Sequence, residues 1–420
     1  MTFDIVQDRA FVRAPSRSTR YLVVRLVAPD ATRRHERLPV NVSLVLDRSG
    51  SMGGSKIRLA KEAVERAIAT LDGRDRFSVV FYDDRIDVVV PSTTATPAAR
   101  SAAREALRAV DARGSTNLFE GWLRGCEQVA LHGGADVVSR TLLLTDGLAN
   151  VGVTDRFELE THAGELRRRG VTTSTFGVGH DFDEALLEAM ATAGGGAFYY
   201  IEDARQIADF MTSELGEALE VVARDVRIEV TAPYGVQLEM LGPERVERLG
   251  PEAWSVAVGD LVARQEREVV LRVSFPHGTP GEAADLTVAV HDRDGAFAGG
   301  RAAARWTYAD HATNDRQPRV PEVDRLVARL FAAGARMEAV TLNKAGDFRR
   351  ASGALAGVAE RIRSYAHGDQ ELLRLADELE DDATGRLSAA MAPAMQKAMY
   401  SDASYVRQMR SPDGKARRRA

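Results

Sequence analysis

The 420-residue sequence predicts an α/β protein: a Rossmann-like, doubly wound, mostly parallel sheet, joined by an all-β sandwich and a C-terminal α-helical region. Three observations predict it. Short apolar runs alternate with amphipathic stretches between residues 40 and 213. From 224 to 291 short strand-like segments are punctuated by Pro, Gly and Asp, and from Pro321 onward the apolar residues recur at helical spacing.

The elements follow in order. Residues 19–28 (TRYLVVRLVA) read as a strand, with Tyr21, Val23 and Arg25 on one face and Leu22, Val24 and Leu26 on the other. The polar stretch 30–37 reads as a linker. Residues 42–46 form an apolar run suited to a buried strand, and Ile57, Ala60, Val64, Ile68 and Leu71 mark a helix over 55–71. Strands are then expected at 77–82, 141–145, 171–178 and 197–201, and helices at 97–110, 118–131, 156–169, 183–193 and 203–220. Such alternation requires a parallel sheet covered on both faces. Segments 224–231, 236–241, 254–258, 268–275 and 285–291 have the spacing of an antiparallel sandwich. The strand at 19–28 has no neighbour of its own and is expected to pair there, which makes the sandwich discontinuous with the α/β domain inserted into it. Helices are expected at 351–363, 370–382 and 387–399, after a face formed by Val323, Leu326, Val327 and Leu330. The expected domains are 1–39, strands joining the sandwich; 40–213, the α/β domain; 214–312, the sandwich; 320–400, the helical domain; and 401–420, a basic, disordered tail.

Composition narrows the function classes. With 56 basic and 61 acidic residues the net charge is -5, which argues against binding nucleic acid or membrane through bulk charge. Cys126 is the only cysteine, so neither an intrachain disulfide nor a cysteine metal cluster can form. The eight histidines are scattered, without the close spacing of zinc ligands. The first residues lack the apolar core of a signal peptide, and no stretch approaches the ~18 to 20 apolar residues of a membrane span. A cytoplasmic protein is expected.

The chemistry concentrates in Asp47-Arg48-Ser49-Gly50-Ser51, at the C-terminal end of the first α/β strand, the edge where open parallel sheets bind ligands. Two later loops reach the same edge. Gly114-Ser115-Thr116-Asn117-Leu118 offers the Thr116 hydroxyl, and the strand ending Leu144-Thr145-Asp146-Gly147 offers a carboxylate. Asp47, Ser49, Ser51, Thr116 and Asp146 together supply two carboxylates and three neutral hydroxyls. That set suits a small, hard divalent cation that keeps some waters, Mg²⁺ or Mn²⁺ before Ca²⁺ and rather than Zn²⁺.

On these residues the chain resembles the von Willebrand factor type A domain family, whose metal-ion-dependent adhesion site is Asp-x-Ser-x-Ser with a later Thr and a later Asp. All five positions match, and Phe176-Gly177-Val178-Gly179 and the Gly194-Gly195-Gly196 run before Phe198 and Tyr199 are also family-like. The resemblance covers about residues 40–213. The order of the flanks loosely resembles bacterial and inter-alpha-inhibitor heavy-chain-like proteins with such a domain. The resemblance implies that Ser49, Ser51 and Thr116 ligate the ion directly, with Asp47 and Asp146 acting through water and hydroxyl contacts. It also implies an open coordination position, completed by an Asp or Glu carboxylate of a protein partner.

Other readings fit less well. Gly50-Ser51-Met52-Gly53-Gly54-Ser55-Lys56-Ile57 is a near miss to a P-loop, with Ser55 and Ile57 where Gly and Ser or Thr are required. An aspartyl phosphotransferase would need a second Asp where Ser49 stands, and no Gly-x-Ser-x-Gly elbow surrounds either serine. His180 is read as a solvated loop residue. Asp83 and Asp84 read either as turn residues or as charges that tune the site or contact a partner, and Arg48 either as a partner contact or as a solvated side chain. Trp122, Trp254, Trp306 and Cys126 are expected in the core. The sequence therefore points to a non-enzymatic, metal-dependent protein-interaction module. Its alternatives are a metal-dependent phosphoesterase at the same site and a Ro-like RNA-associated scaffold.

Overall fold

The computed structural model describes residues 2–30, 37–297 and 300–419, so most of the expected linker lies outside the described residues. The chain opens with β1 (Thr2–Gln7), β2 (Phe11–Arg13) and β3 (Ser18–Val27). Then follow β4 (Val40–Asp47), α1 (Ser55–Thr70), β5 (Arg76–Tyr82), β6 (Ile86–Thr94), α2 (Pro97–Arg108) and α3 (Leu118–Ala130). The alternation continues through β7 (Val138–Thr145), α4 (Arg156–Arg168), β8 (Val171–Val178), α5 (Glu184–Ala193), β9 (Gly195–Ile201) and α6 (Ile207–Ala218). A run of strands comes next: β10 (Val221–Thr231), β11 (Gln237–Met240), β12 (Val246–Gly250), β13 (Ala253–Val262), β14 (Glu266–Phe275), β15 (Ala283–His291) and β16 (Arg301–Ala309). The last part is helical, with α7 (His311–Arg316), α8 (Pro321–Lys344), α9 (Phe348–Ala366), α10 (Gln370–Asp381) and α11 (Pro393–Arg407). Two compact units result, one of residues 31–221 and one of residues 1–30 with 222–420.

The unit of residues 31–221 is a six-stranded sheet in the order β6-β5-β4-β7-β8-β9. The β4, β5, β7, β8 and β9 strands run parallel, and β6 pairs antiparallel with β5 at one edge. Strand β6 is not among the sequence expectations, because Pro91 interrupts its apolar pattern; an edge position tolerates a proline that a central strand would not. Every residue of β4, β7 and β8 is buried, as a strand covered on both faces requires. On one face Val42, Leu44 and Leu46 pack with Ile57, Val64 and Ile68 of α1 and with Met211 and Leu215 of α6. On the other lies α3, whose Gly121 and Gly125 let it approach closely: a methyl at Gly121 would strike the Tyr82 ring, and one at Gly125 would strike Val45 Cγ2.

The other unit is built from two sheets, β1-β3-β14-β11 and β12-β13-β10-β15-β16-β2. Leu22, Val24 and Leu26 of β3 and Val269, Leu271 and Val273 of β14 face Ile228, Val230, Leu286, Val288 and Trp306 of the second sheet, forming its core. The expected pairing of the 19–28 strand with the sandwich is seen directly, since β3 runs antiparallel to β14 from Ser18↔Phe275 to Val27↔Glu266. Val23 and Val270, on the opposite face of that sheet, pack with Val323, Leu326, Val327 and Leu330 of α8.

The C-terminal end corrects two expectations. In place of a helix over 387–399, a π-turn at Asp382–Arg386 and an irregular stretch precede α11, which Pro393 opens at a position where its missing N–H costs nothing. Residues 401–419 of the tail are ordered, the first of them completing α11. Tyr400, Ala403, Tyr405 and Met409 are buried, and Glu266 N–H bonds the Arg417 carbonyl at 2.9 Å. The basic composition of the tail concealed these apolar anchors.

Two outcomes are expected. Gly125→Ala gains ~1 kcal/mol of helix propensity but overpacks the sheet by about 1–3 kcal/mol. It should therefore lower the urea midpoint, whereas Gly164→Ala on α4, where a methyl meets nothing within 4 Å, should raise it. Cys126 is buried with its thiol 3.5 Å from Thr141 Oγ1, and burial pushes the thiol up to about 12. At pH 8 the folded protein should leave an aromatic disulfide reagent unreacted, and the urea-unfolded chain should consume one equivalent.

Candidate metal centre

Strand order decides where a site can form. From β4 the chain moves to β5 on one side, and later from β7 through β8 to β9 on the other, so the connections leave β4 and β7 in opposite directions. The crevice at the C-terminal ends of β4 and β7 is the topological switch point of the sheet. Asp47 ends β4 and Asp146 directly follows β7.

The first loop is fixed by polar bonds and one apolar anchor. Asp47 is wholly buried; its Oδ1 accepts the Ser49 N–H at 2.7 Å and its Oδ2 accepts the Thr145 hydroxyl at 2.7 Å. Burial lifts the Asp47 carboxyl to about 6, against the lowering by those donors. Gly50–Met52 forms a single 3₁₀ turn, held down by the fully buried Met52 side chain. Ser49 Oγ and Ser51 Oγ then lie 3.1 Å apart, and Ser51 donates to Asp146 Oδ1 at 2.6 Å. The other oxygen of Asp146 receives the ammonium of Lys56, near the start of α1.

The second loop is tied to the first by Gly50 N–H to the Gly114 carbonyl (3.1 Å) and by Arg113 N–H to the Arg48 carbonyl (2.7 Å). Gly114 has φ 72°, and a side chain there would strike Asp84 Oδ1, so both backbone and space require glycine. Thr116 donates its N–H to Asn150 Oδ1 at 2.9 Å, and its carbonyl accepts the Asn150 and Val151 N–H groups at 3.2 Å. A methyl added at Gly147 would lie 3.7 Å from Ser51 Oγ and 3.9 Å from Thr116 Oγ1, so both hydroxyls open onto one small space. All five residues named from the sequence are thus brought to one crevice by three loops.

The donor set fits a hard divalent cation. It is made of oxygens only, and among the described residues no group of three or more His, Cys, Asp or Glu offers an alternative centre. Asp47 has both oxygens committed to Ser49 and Thr145, which suits it to hold the loop, while the Ser51 and Thr116 hydroxyls open onto the shared space and Asp146 and Ser49 stand next to Ser51. A cation already sits on Asp146, in the form of the Lys56 ammonium. Sequence reasoning did not find Lys56, Thr145 or Asn150 as site residues. Lys56 entered only as part of a failed P-loop, and no spacing rule marks it as the partner of Asp146.

The surroundings correct the reading of Arg48, while Asp83 and Asp84 stand, as read, in the turn between β5 and β6. Arg48 is neither solvated nor free to meet a partner: it is buried, with Nε 2.9 Å from Asp83 Oδ2, and also pairs with Asp87. Asp83 is buried as well and accepts Arg113 Nε at 2.7 Å and the Arg85 N–H at 2.6 Å. Burial would raise its carboxyl, but these bonds and the Arg48 charge hold it below the usual carboxylate value. His180 is exposed, with Nδ1 3.1 Å from the Tyr200 hydroxyl. Trp122, Trp254, Trp306 and Cys126 are buried as expected.

Residues 41–213 match the model of the von Willebrand factor type A domain. The chain is 32% identical over 254 residues to the uncharacterized protein YfbK of Escherichia coli, covering 58% of this chain and 43% of that one. It is 30% identical over 268 residues to the uncharacterized protein sll0103 of Synechocystis, covering 61% and 62%. It is 30% identical over 202 residues to inter-alpha-trypsin inhibitor heavy chain H1 of Sus scrofa, covering 47% and 22%. The matched region therefore spans less than two thirds of each of these relatives. Among solved structures, a von Willebrand factor type A protein from Catenulispora acidiphila shares the fold with a TM-score of 0.69 and 21% identity, over 93% of this chain and 97% of that one. The ArnB paralog VWA2 from Sulfolobus acidocaldarius does so with a TM-score of 0.62 and 14% identity, over 99% of both.

The Arg48–Asp83 pair yields a measurable expectation. Arg48→Met leaves a buried carboxylate with the half-exposed Arg113 as its main remaining cation, so the loss should approach the lower end of the ~3–5 kcal/mol typical of a broken buried pair. Because the folded-state value of Asp83 is depressed, its contribution is present above the ordinary carboxylate value and fades as pH falls through the folded one. Denaturant titrations should show the gap between wild type and Arg48→Met narrowing on acidification below about pH 4.

Proposed function

Residues 41–213 form a von Willebrand factor type A domain, and from that premise we propose that the protein is a metal-dependent protein-interaction module rather than an enzyme. Its partner presents an Asp or Glu side chain to the crevice between the ends of β4 and β7. The observation that carries this reading is the convergence of the Ser49, Ser51 and Thr116 hydroxyls and the Asp146 carboxylate on one space, with Asp47 locking the loop behind them.

Ser49, Ser51 and Thr116 would hold Mg²⁺ or Mn²⁺, assisted by Asp146 and, through intermediates, by Asp47. Such an ion, when bound, supplies an electrophilic centre for an incoming carboxylate. The rest is done by the chain. Neutral hydroxyls keep the protein's own charge at the site low, so a further carboxylate is not repelled. The bonds of Thr116 to Asn150 and Val151 hold the second loop to the third, and Gly147 leaves the approach clear of a side chain. Domains of this type commonly mediate protein–protein interaction, which supports the same reading.

The test is thermal unfolding of wild type and Asp47→Ala, each with chelator or with Mn²⁺. An ion at ~100 times its dissociation constant should add about 2.7 kcal/mol of apparent stability to the wild type. The metal-induced shift, rather than the absolute midpoint, should vanish in Asp47→Ala, whose loop loses both bonds of that carboxylate. Equal shifts in the two proteins would place the ion elsewhere and overturn the assignment.

A further inference from the structure

The Lys56 side chain is about one third exposed, yet its ammonium pairs with the Asp146 carboxylate, which is wholly buried and already takes the Ser51 hydroxyl on its other oxygen. Lys56 is the second residue of α1, at the end of a helix where the backbone dipole disfavours a positive charge. The first turn of α1 carries no acidic residue to offset it. The lysine is therefore held in place by Asp146 and not by its helix. Beside its tip lies Gly179 at the end of β8, where an added methyl would stay 4.0 Å from Nζ, so from that direction no side chain confines the ammonium.

We propose that Lys56 is a tethered cation that competes with the divalent ion for Asp146 and thereby couples ion binding to the arrival of an acidic partner group. This rests on the metal-binding reading above. Without the ion, Asp47 and Asp146 bring two negative charges to the crevice, and the ammonium compensates one of them. A divalent ion at the hydroxyls must either displace the ammonium from Asp146 or accept a positive charge beside it, and at such separations in a partly buried site that repulsion is strong. A carboxylate from a partner supplies the missing negative charge. Ion and acidic group then bind better together than singly, and by linkage each raises the affinity of the other. The other oxygens of the set are neutral or already committed, so Lys56 sets how weak the site is when no partner is present.

The experiment is a Mn²⁺ titration of the full chain followed by electron paramagnetic resonance of the free ion, without and with acetate as the carboxylate probe. Lys56→Met keeps length and apolar stem but removes the charge, and Lys56→Arg keeps the charge. Lys56→Met should bind Mn²⁺ at least about tenfold more tightly than wild type and should lose most of the tightening by acetate. Lys56→Arg should behave like wild type. Lys56→Gln serves as the second neutral variant, and a single cooperative melt in chelator qualifies each protein. Equal or weaker Mn²⁺ binding by both neutral variants, with wild type binding normally, would overturn the competition and leave the metal site standing. Absence of Mn²⁺ binding in every protein would overturn the metal reading and this proposal with it. Detectable binding in the neutral variants alone would support both.

Discussion

A carboxylate sealed from water must be satisfied inside the protein, and Asp47 is satisfied from two directions at once. Its own loop supplies the Ser49 N–H, and the neighbouring strand supplies the Thr145 hydroxyl. Those two bonds convert a strand end into a fixed corner. They set where Ser49 and Ser51 stand, and they join the β4 loop to the residue immediately before Asp146. The second loop then needs only its backbone bonds to Gly50 and Arg48 and the clasp of Asn150 on Thr116 to complete the crevice. The fold serves this corner because β4 is buried on both faces and paired on both edges, which leaves its register no freedom.

Much of this was legible in the sequence for physical reasons. Central parallel strands must be continuously apolar and their helices amphipathic, so residues 40–213 announced an α/β sheet. The candidate site residues could be picked out too, because Asp47, Ser49, Ser51, Thr116 and Asp146 fall where strand ends meet helix starts. What escaped was everything decided by long-range polar pairing. Lys56 and Asp146 are 90 residues apart, and Arg48 and Asp83 are 35 apart. No local pattern distinguishes such partners from solvated charges. The first strands escaped for a related reason: β1 and β2 gain their meaning only from β3 and β16, and their own patterns are short.

Arg140 illustrates the same limit within a strand. The apolar run of β7 begins after it, so a strand starting at 141 was the natural expectation; the strand in fact begins at Val138 with Arg140 buried inside it. Its guanidinium meets Glu214 of α6 at 2.7 Å, and the same carboxylate accepts the Ser174 hydroxyl of β8 at 2.6 Å and the Tyr199 hydroxyl of β9. One acidic residue on α6, the last helix of the α/β unit, is thus keyed to three successive strands. Apolar packing alone would let a helix slide by a turn at modest cost. A charge-assisted key of this kind loses its partners if the helix shifts, and so gives the closing helix a defined position on the sheet.

The pairing of β3 with β14 also has a consequence for how the chain is made. Synthesis delivers β3 to the outside of the ribosome about 240 residues before β14 exists. At roughly 5–20 residues per second, that leaves the edge of β3 without its final neighbour for some tens of seconds. The intervening α/β unit has its own core and can close during that interval. Meanwhile β1 folds back onto β3 over Thr2↔Val27 to Gln7↔Leu22, covering one side of the waiting strand with a partner already available. That ladder needs no later residue, so an unfinished chain has one strand edge fewer through which to join another.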